Sequence, residues 1–177
     1  VPLDSELLDA TPGQESALGK QSRRLIDLPT PRTSLIGREQ EVRKAAEFLV
    51  DPNIRLVTLT GPGGAGKTRL AIAAAATVAS EFPGGVRFVG LASVSQPDLV
   101  AAALTKSLNI QQVANRTLPQ MIADYLQESG PFLFVLDNFE QVLPAGKVVA
   151  EILASCPALK VLVTSRECLR IYGEQEF

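Results

Sequence analysis

The sequence predicts an α/β fold, a three-layer sandwich with helices on both faces of a parallel sheet, and three observations predict it. A glycine-rich run, Gly61 to Thr68, stands between the apolar stretch Ile54 to Thr60 and the alanine-rich stretch Leu70 to Ala79. A second apolar stretch, Phe132-Leu133-Phe134-Val135-Leu136, ends on the carboxylate of Asp137. Around both, short β-type runs alternate with helical ones, as parallel strands joined by helical crossovers require.

Composition sets the outer bounds. With 177 residues, 46% of them hydrophobic, the chain can bury one core and is expected to form one folded domain. A net charge of −2 supplies no basic field, so direct DNA contact by this chain is not expected. No apolar run reaches the roughly 18 residues of a membrane span, and the start lacks a signal-peptide layout. A cytoplasmic location is the expectation. Cys156 and Cys168 lack metal-ligand spacing and there is no histidine, so neither a disulfide nor zinc is expected. Any catalysis then rests on carboxylates, a metal or positioning.

Residues 1–33 are rich in Pro, Gly, Ser and Asp without sustained period and read as linker or weakly ordered chain, with the folded domain over residues 34–177. Arg23-Arg24 reads as a solvated pair there, and Leu25, Ile26 and Leu28 as a small apolar knot. Pro29-Thr30-Pro31 favours extended backbone. Leu35 to Glu41 opens a helix through Leu49, with Val42, Ala45, Ala46 and Leu49 on one face and its acids early, where the helix dipole favours them. Ile36-Gly37 either lets backbone approach a flat ligand or simply starts the helix. Asp51-Pro52-Asn53 is a turn into the first strand.

Gly61-Pro62-Gly63-Gly64-Ala65-Gly66-Lys67-Thr68 fits G-x-x-x-x-G-K-[ST], with a strand running in and a helix running out. Glycines let such a loop curl around a polyphosphate with its N–H groups pointing inward. The helix from Lys67 aims its positive end at the same phosphates, Lys67 adds a mobile charge, and Thr68 offers a hydroxyl to Mg²⁺.

The helix Lys67 to Ser80 is alanine-rich and expected to lie close on the sheet, ending at Pro83-Gly84-Gly85. Val86 to Leu91 reads as the next strand, and Ser95-Gln96-Pro97-Asp98 as a capping box that starts a helix to about Leu108. Thr117-Leu118-Pro119-Gln120 repeats that signature for a helix to about Glu128, with Ile122, Tyr125 and Leu126 toward the core.

The strand Phe132 to Asp137 has the form of a Walker B element. A buried strand ending on an acid delivers it to the crevice where parallel sheets bind ligands, and there it can hold the water shell of Mg²⁺. Many ATPases carry a water-activating glutamate directly after this aspartate; here that place is Asn138. Glu140 either substitutes for it or is a surface glutamate. A helix around Lys147 to Ser155 leads to the strand Val161 to Thr164 and then Ser165-Arg166, where Arg166 either reads a γ-phosphate or caps a helix.

Leu35-Ile36-Gly37-Arg38-Glu39, Gly61 to Thr68, Leu136-Asp137-Asn138-Phe139-Glu140-Gln141 and Val163-Thr164-Ser165-Arg166-Glu167, in that order, resemble the nucleotide-binding core of STAND-class ATPases, relatives of the NB-ARC and AAA+ proteins. The likeness extends from Leu35 to Phe177 and is greatest to bacterial transcriptional regulators that join this core to repeats and to a LuxR-like or winged-helix DNA-binding domain. The resemblance implies a P-loop NTPase sheet of order 5-1-4-3-2. It places Ile36, Gly37 and Arg38 by an adenine, and the nucleotide on Gly61, Gly63, Gly64, Ala65, Gly66, Lys67, Thr68 and Arg69. It assigns Mg²⁺ to Thr68 and Asp137, and catalytic roles to Lys67, Asp137, Glu140 and Arg166.

Such proteins rest closed on ADP, exchange it for ATP, and self-associate. Their partners beyond nucleotide are their own helical lid, winged helix and repeats. The expectation here is that the chain stops before the fifth strand and the lid, and the lack of histidine excludes the winged-helix histidine that meets ADP. The implied function is an ATP/ADP switch with slow Mg²⁺-dependent hydrolysis at most. The alternative is an efficient AAA+-like ATPase, which Asn138 argues against. A GTPase would need an N-K-x-D motif that is absent, and intact Lys67, Thr68 and Asp137 argue against a scaffold that binds no nucleotide.

Overall fold

A computed structural model describes residues 26–31 and 35–177; the Arg23-Arg24 pair lies outside them. Six strands form one sheet in which every pairing is parallel: β1 (Ile26–Asp27), β2 (Leu56–Leu59), β3 (Gly85–Gly90), β4 (Phe132–Asp137), β5 (Leu159–Thr164) and β6 (Glu174–Glu176). The order is β1-β3-β4-β5-β2-β6. Counted from the strand before the glycine loop, β2, β5, β4 and β3 are strands 1, 4, 3 and 2 of the expected order.

β6 completes that order as its fifth strand, which corrects the expectation that the chain stops short of it. It pairs with β2 over Leu56 to Thr58, extended by Phe177 N–H to the Thr58 carbonyl and Thr60 N–H to the Phe177 carbonyl, both at 2.9 Å. A Glu-Gln-Glu strand has no apolar alternation to announce it; the Glu174 carboxylate secures it by accepting from Thr58 Oγ1 at 2.6 Å and from the N–H groups of Leu169 and Arg170 at 2.9 and 2.8 Å. At the other edge β1, within the segment expected to be linker, pairs with β3 and is pinned by Asp27 to Arg87 at 2.7 Å.

Helices α1 (Glu39–Val50) and α2 (Lys67–Thr77) cover one face; α3 (Leu99–Ser107), α4 (Leu118–Ser129) and α5 (Gly146–Ser155) cover the other. Strand parity sorts the core between them. Phe132, Phe134 and Leu136 of β4 face α3 to α5, while Leu133 and Val135 face α1 and α2. Each of these five side chains is essentially buried and contributes about 1.5–3 kcal/mol by leaving water. On α2, Ala71, Ala74 and Ala75 are fully buried, and their small side chains let the helix approach the sheet closely.

The Thr117 capping box forms in full at the start of α4. The one expected at Ser95 to Asp98 does not: α3 begins at Leu99, Asp98 makes no side-chain cap, and the Gln96 and Pro97 carbonyls are taken by the N–H groups of Leu99 and Val100 in a turn. Among the described residues no helix is long and apolar enough to cross a membrane.

Candidate functional site

The site lies at the C-terminal ends of β2, β4 and β5, where α2 begins. Asp137 follows Leu133 and Val135 on the α2 face of β4, and Thr164 follows Leu162 on the same face of β5. Parity thus brings both polar groups to the helix start. Asp137 Oδ1 accepts from Thr68 Oγ1 and from Thr164 Oγ1, each at 2.6 Å, and Thr164 Oγ1 in turn accepts from the Asn138 N–H at 3.1 Å. Asp137 is only 7% exposed, so these hydroxyls replace water that the carboxylate has lost.

The sequence named Thr164 only within the motif Val163 to Glu167 and gave it no role at the site. Its place on the face of Leu162, at the end of the strand beside β4, was the signal that could have found it.

The loop into α2 is built for close approach. Gly64 and Gly66 stand at φ +78° and +79°, and Gly66 ends the loop as the N-cap of α2 with no side-chain cap. The first N–H groups of that helix therefore meet no capping side chain, the arrangement that receives an anion. Lys67 Nζ curls over the loop and donates to the carbonyls of Gly61 and Pro62 at 2.7 and 2.9 Å. Arg69, also expected at the nucleotide, is exposed in the first turn of α2.

Arg38 reaches this loop from the start of α1. Its Nη1 donates to the Ala65 carbonyl at 2.6 Å and its Nε pairs with Glu41 at 3.0 Å. That guanidinium holds the Glu41 carboxyl below its usual range, chiefly through the hydrogen bond. Ile36 is 84% exposed, and Gly37 enters the helix at φ +76° with its N–H on Glu39 Oε1 at 3.1 Å. Of the three residues expected near an adenine, Arg38 is the one seen to touch the phosphate loop.

After β4, Asn138 takes the left-handed conformation at φ +62° and turns the chain into Phe139–Gln141, whose Phe139 is fully buried. Glu140 faces Arg166 there, Oε1 to Nε at 3.4 Å. The guanidinium also approaches the loop: a Cβ placed on Gly63 would lie 3.7 Å from Arg166 Nη2. Lys67, Thr68, Asp137, Arg166, Glu140 and Arg38 are thus linked through contacts that converge on the loop Gly61 to Thr68.

The residues present fit Mg²⁺ of the kind that phosphates carry. Among the described residues no group of three or more His, Cys, Asp or Glu could cage a metal alone. One hydroxyl and one carboxylate in contact is the donor set expected where substrate phosphates and waters complete the octahedron.

A solved Walker-type ATPase from Pyrococcus abyssi superposes with TM-score 0.53 at 19% identity, covering 79% of this chain and 48% of that one. The Aeropyrum pernix ORC2 protein, solved as ADPNP-ADP complexes, gives TM-score 0.58 at 15% identity over 82% of this chain and 45% of that one. These likenesses speak for the fold. An uncharacterised Mycobacterium tuberculosis protein is 35% identical over 143 residues, 80% of this chain and 36% of the relative. A second protein of that organism, named as an HTH-type transcriptional regulator, is 40% identical over 121 residues, 68% of this chain and 13% of the relative. The chain therefore spans about a third of the first relative's length and about an eighth of the second's. The NB-ARC domain description matches residues 38–169, from the arginine that grips the phosphate loop to the segment after Arg166, and this chain belongs to the NB-ARC domain family.

Proposed function

We propose that the chain is the ATP/ADP-binding switch module of a cytoplasmic, signal-responsive transcriptional regulator, with Mg²⁺-dependent hydrolysis that is slow at most. The observation that carries this reading is the 2.6 Å contact between Thr68 and Asp137, which joins the end of the phosphate loop to the acid of the Walker B strand. In this reading Lys67 exchanges the carbonyls of Gly61 and Pro62 for phosphate oxygens, Thr68 ligates Mg²⁺ and Asp137 holds its water shell. The ion would neutralise charge on the β- and γ-phosphates. Ile36, Gly37 and Arg38 border the adenine, and the nucleotide's N–H donors come from Gly61, Gly63, Gly64, Ala65, Gly66 and Arg69. DNA binding, closure and self-association belong to domains beyond this chain.

Slow turnover follows from two features. Asn138 stands where a water-activating glutamate would be, and the Glu140 carboxylate is directed to Arg166. A second reading, an efficient AAA+-like ATPase, is favoured by one observation: Glu140 Oε2 is buried without a hydrogen-bond partner among the described residues and could accept a proton from water.

Calorimetric titration with ADP and ATP, with and without Mg²⁺, beside phosphate release at saturating ATP, separates these readings. Binding with release slower than about one per minute supports the switch, being far below ordinary turnover of 1 s⁻¹ or more. Faster release supports the enzyme. Unchanged Mg-ATP affinity in Lys67→Ala would sink both.

A further inference from the structure

We propose that Glu140 is the positioning residue of Arg166: it holds the guanidinium by Nε at the mouth of the phosphate loop and so sets the balance between triphosphate and diphosphate. The inference rests on the nucleotide reading above and concerns how that site tells the two ligands apart.

The two side chains differ in mobility. Glu140 is 11% exposed and Arg166 is 64% exposed, so the carboxylate is a fixed post and the arginine an arm. The post is anchored from both sides. Asn138 turns the chain in the left-handed region, with its N–H on Thr164 Oγ1 at 3.1 Å, while Phe139 and Val142 on either side of Glu140 are fully buried. Asn138, Thr164 and Asp137 form one hydrogen-bonded chain, so the turn that carries Glu140 is built on the metal-facing carboxylate itself.

The contact uses Nε, at 3.4 Å from Oε1. A guanidinium carries five N–H donors, and engagement through Nε leaves donors on both Nη atoms for a second anion. Arg166 Nη2 is also the atom that approaches Gly63, where a side chain would stand 3.7 Å away.

Burying Glu140 Oε2 with no hydrogen-bond partner among the described residues is costly, and an apolar side chain at this turn would avoid the cost. Keeping a carboxylate there fits a need for its charge, and Arg166 is the cation it faces. A carboxylate that competed with phosphate for Arg166 would predict the opposite sign in the test below.

The test is equilibrium binding of a fluorescent ADP and a fluorescent non-hydrolysable ATP analogue, both with Mg²⁺. The proteins are the wild type, Glu140→Gln, Arg166→Ala and the double variant, each checked by thermal melting. Arg166 is exposed, so its truncation leaves the fold intact. The ratio of the analogue's Kd to that of ADP is expected to rise about tenfold in each single variant, the scale of one charge-assisted hydrogen bond, with no further rise in the double variant. A ratio unmoved or lowered by Glu140→Gln overturns the inference, as does an equal loss for both nucleotides, which marks a purely structural role. If the wild type binds neither nucleotide, the nucleotide reading itself fails and takes this inference with it.

Discussion

Arg38 donates from Nη1 to the Ala65 carbonyl at 2.6 Å across 27 positions of sequence, while its Nε holds Glu41 at 3.0 Å. One planar guanidinium thus ties the start of α1 to the phosphate loop, one residue before the Gly66 cap. A lysine cannot make both contacts from one rigid group. Arg38→Lys is expected to weaken nucleotide binding about five- to tenfold, roughly the worth of one net hydrogen bond, with little change in melting temperature. Arg38→Ala should also let the Glu41 carboxyl climb back toward its ordinary value, since the arginine is the main cause of its depression. Titration of that carboxyl by NMR reads this directly, and no shift would show that the pair does not persist in solution.

Gly84 allows no side chain. A Cβ there would lie 2.6, 2.8 and 2.9 Å from the carbonyl oxygens of Ser129, Pro131 and Gly130, all backbone atoms that cannot swing aside. The Gly84 N–H also donates to the Pro131 carbonyl at 2.9 Å, locking the entry of β3 to that of β4. Gly84→Ala must push these segments apart and is expected to cost about 2–3 kcal/mol, the upper range for overpacking. Denaturant unfolding measures it; a loss below about 0.5 kcal/mol, the scale of a neutral surface change, would contradict the described approach.

Thr164→Val keeps the size and removes both hydrogen bonds of the hydroxyl, leaving Asp137 with one donor fewer and the Asn138 N–H without its acceptor. Because Asp137 is buried, the expected cost is about 1–3 kcal/mol of stability. The Mg²⁺ dependence of nucleotide binding should weaken as well, because the carboxylate loses one of the groups that orient it. Thr164→Ser retains the hydroxyl and should recover most of both effects. Equal behaviour of the valine and serine variants would assign the residue to packing alone.

Much of this was legible, and the exceptions share a cause. Gly61 to Thr68 and Phe132 to Asp137 announce themselves because their chemistry is local: fixed spacing in one, an unbroken apolar run in the other. β6 and β1 could not be read that way. Glu174-Gln175-Glu176 is a strand because Thr58 and the N–H groups of Leu169 and Arg170 converge on Glu174, and Ile26–Asp27 because Arg87 waits on β3. Thr164 and the Glu140 to Arg166 pair were hidden for the same reason, since each depends on two strands lying side by side. At Ser95 to Asp98 the letters of a capping box were present, but the chain there forms a turn in which the Leu99 and Val100 N–H groups bond the Gln96 and Pro97 carbonyls, and the helix starts only at Leu99 with Asp98 as its N-cap.

Acid should loosen the C-terminal strand before the rest. Thr60 Oγ1 donates to Glu176 Oε1 at 2.7 Å, and this bond first, then the Cys168 thiol, depresses the Glu176 carboxyl below its ordinary value of about 4.5. A depressed folded value means that the stabilisation is present above about pH 4.5 and is lost as pH falls through the folded value. The same strand end is held by the paired N–H groups of Thr60 and Phe177, by the Phe177 ring set edge-on to Phe48 at 6.0 Å, and by Lys44 over that ring at 5.8 Å. Those contacts do not involve the Glu176 carboxylate. Hydrogen exchange at the Thr60 and Phe177 amides, corrected for intrinsic rates, should therefore show protection falling below about pH 4.5 in the wild type without disappearing. In Glu176→Gln, whose amide oxygen can still accept from Thr60 but carries no charge, protection at neutral pH should match that of acidified wild type and its acid dependence should flatten. An unchanged acid dependence in that variant would move the effect to another carboxylate, with Glu174 on the same strand the first to substitute.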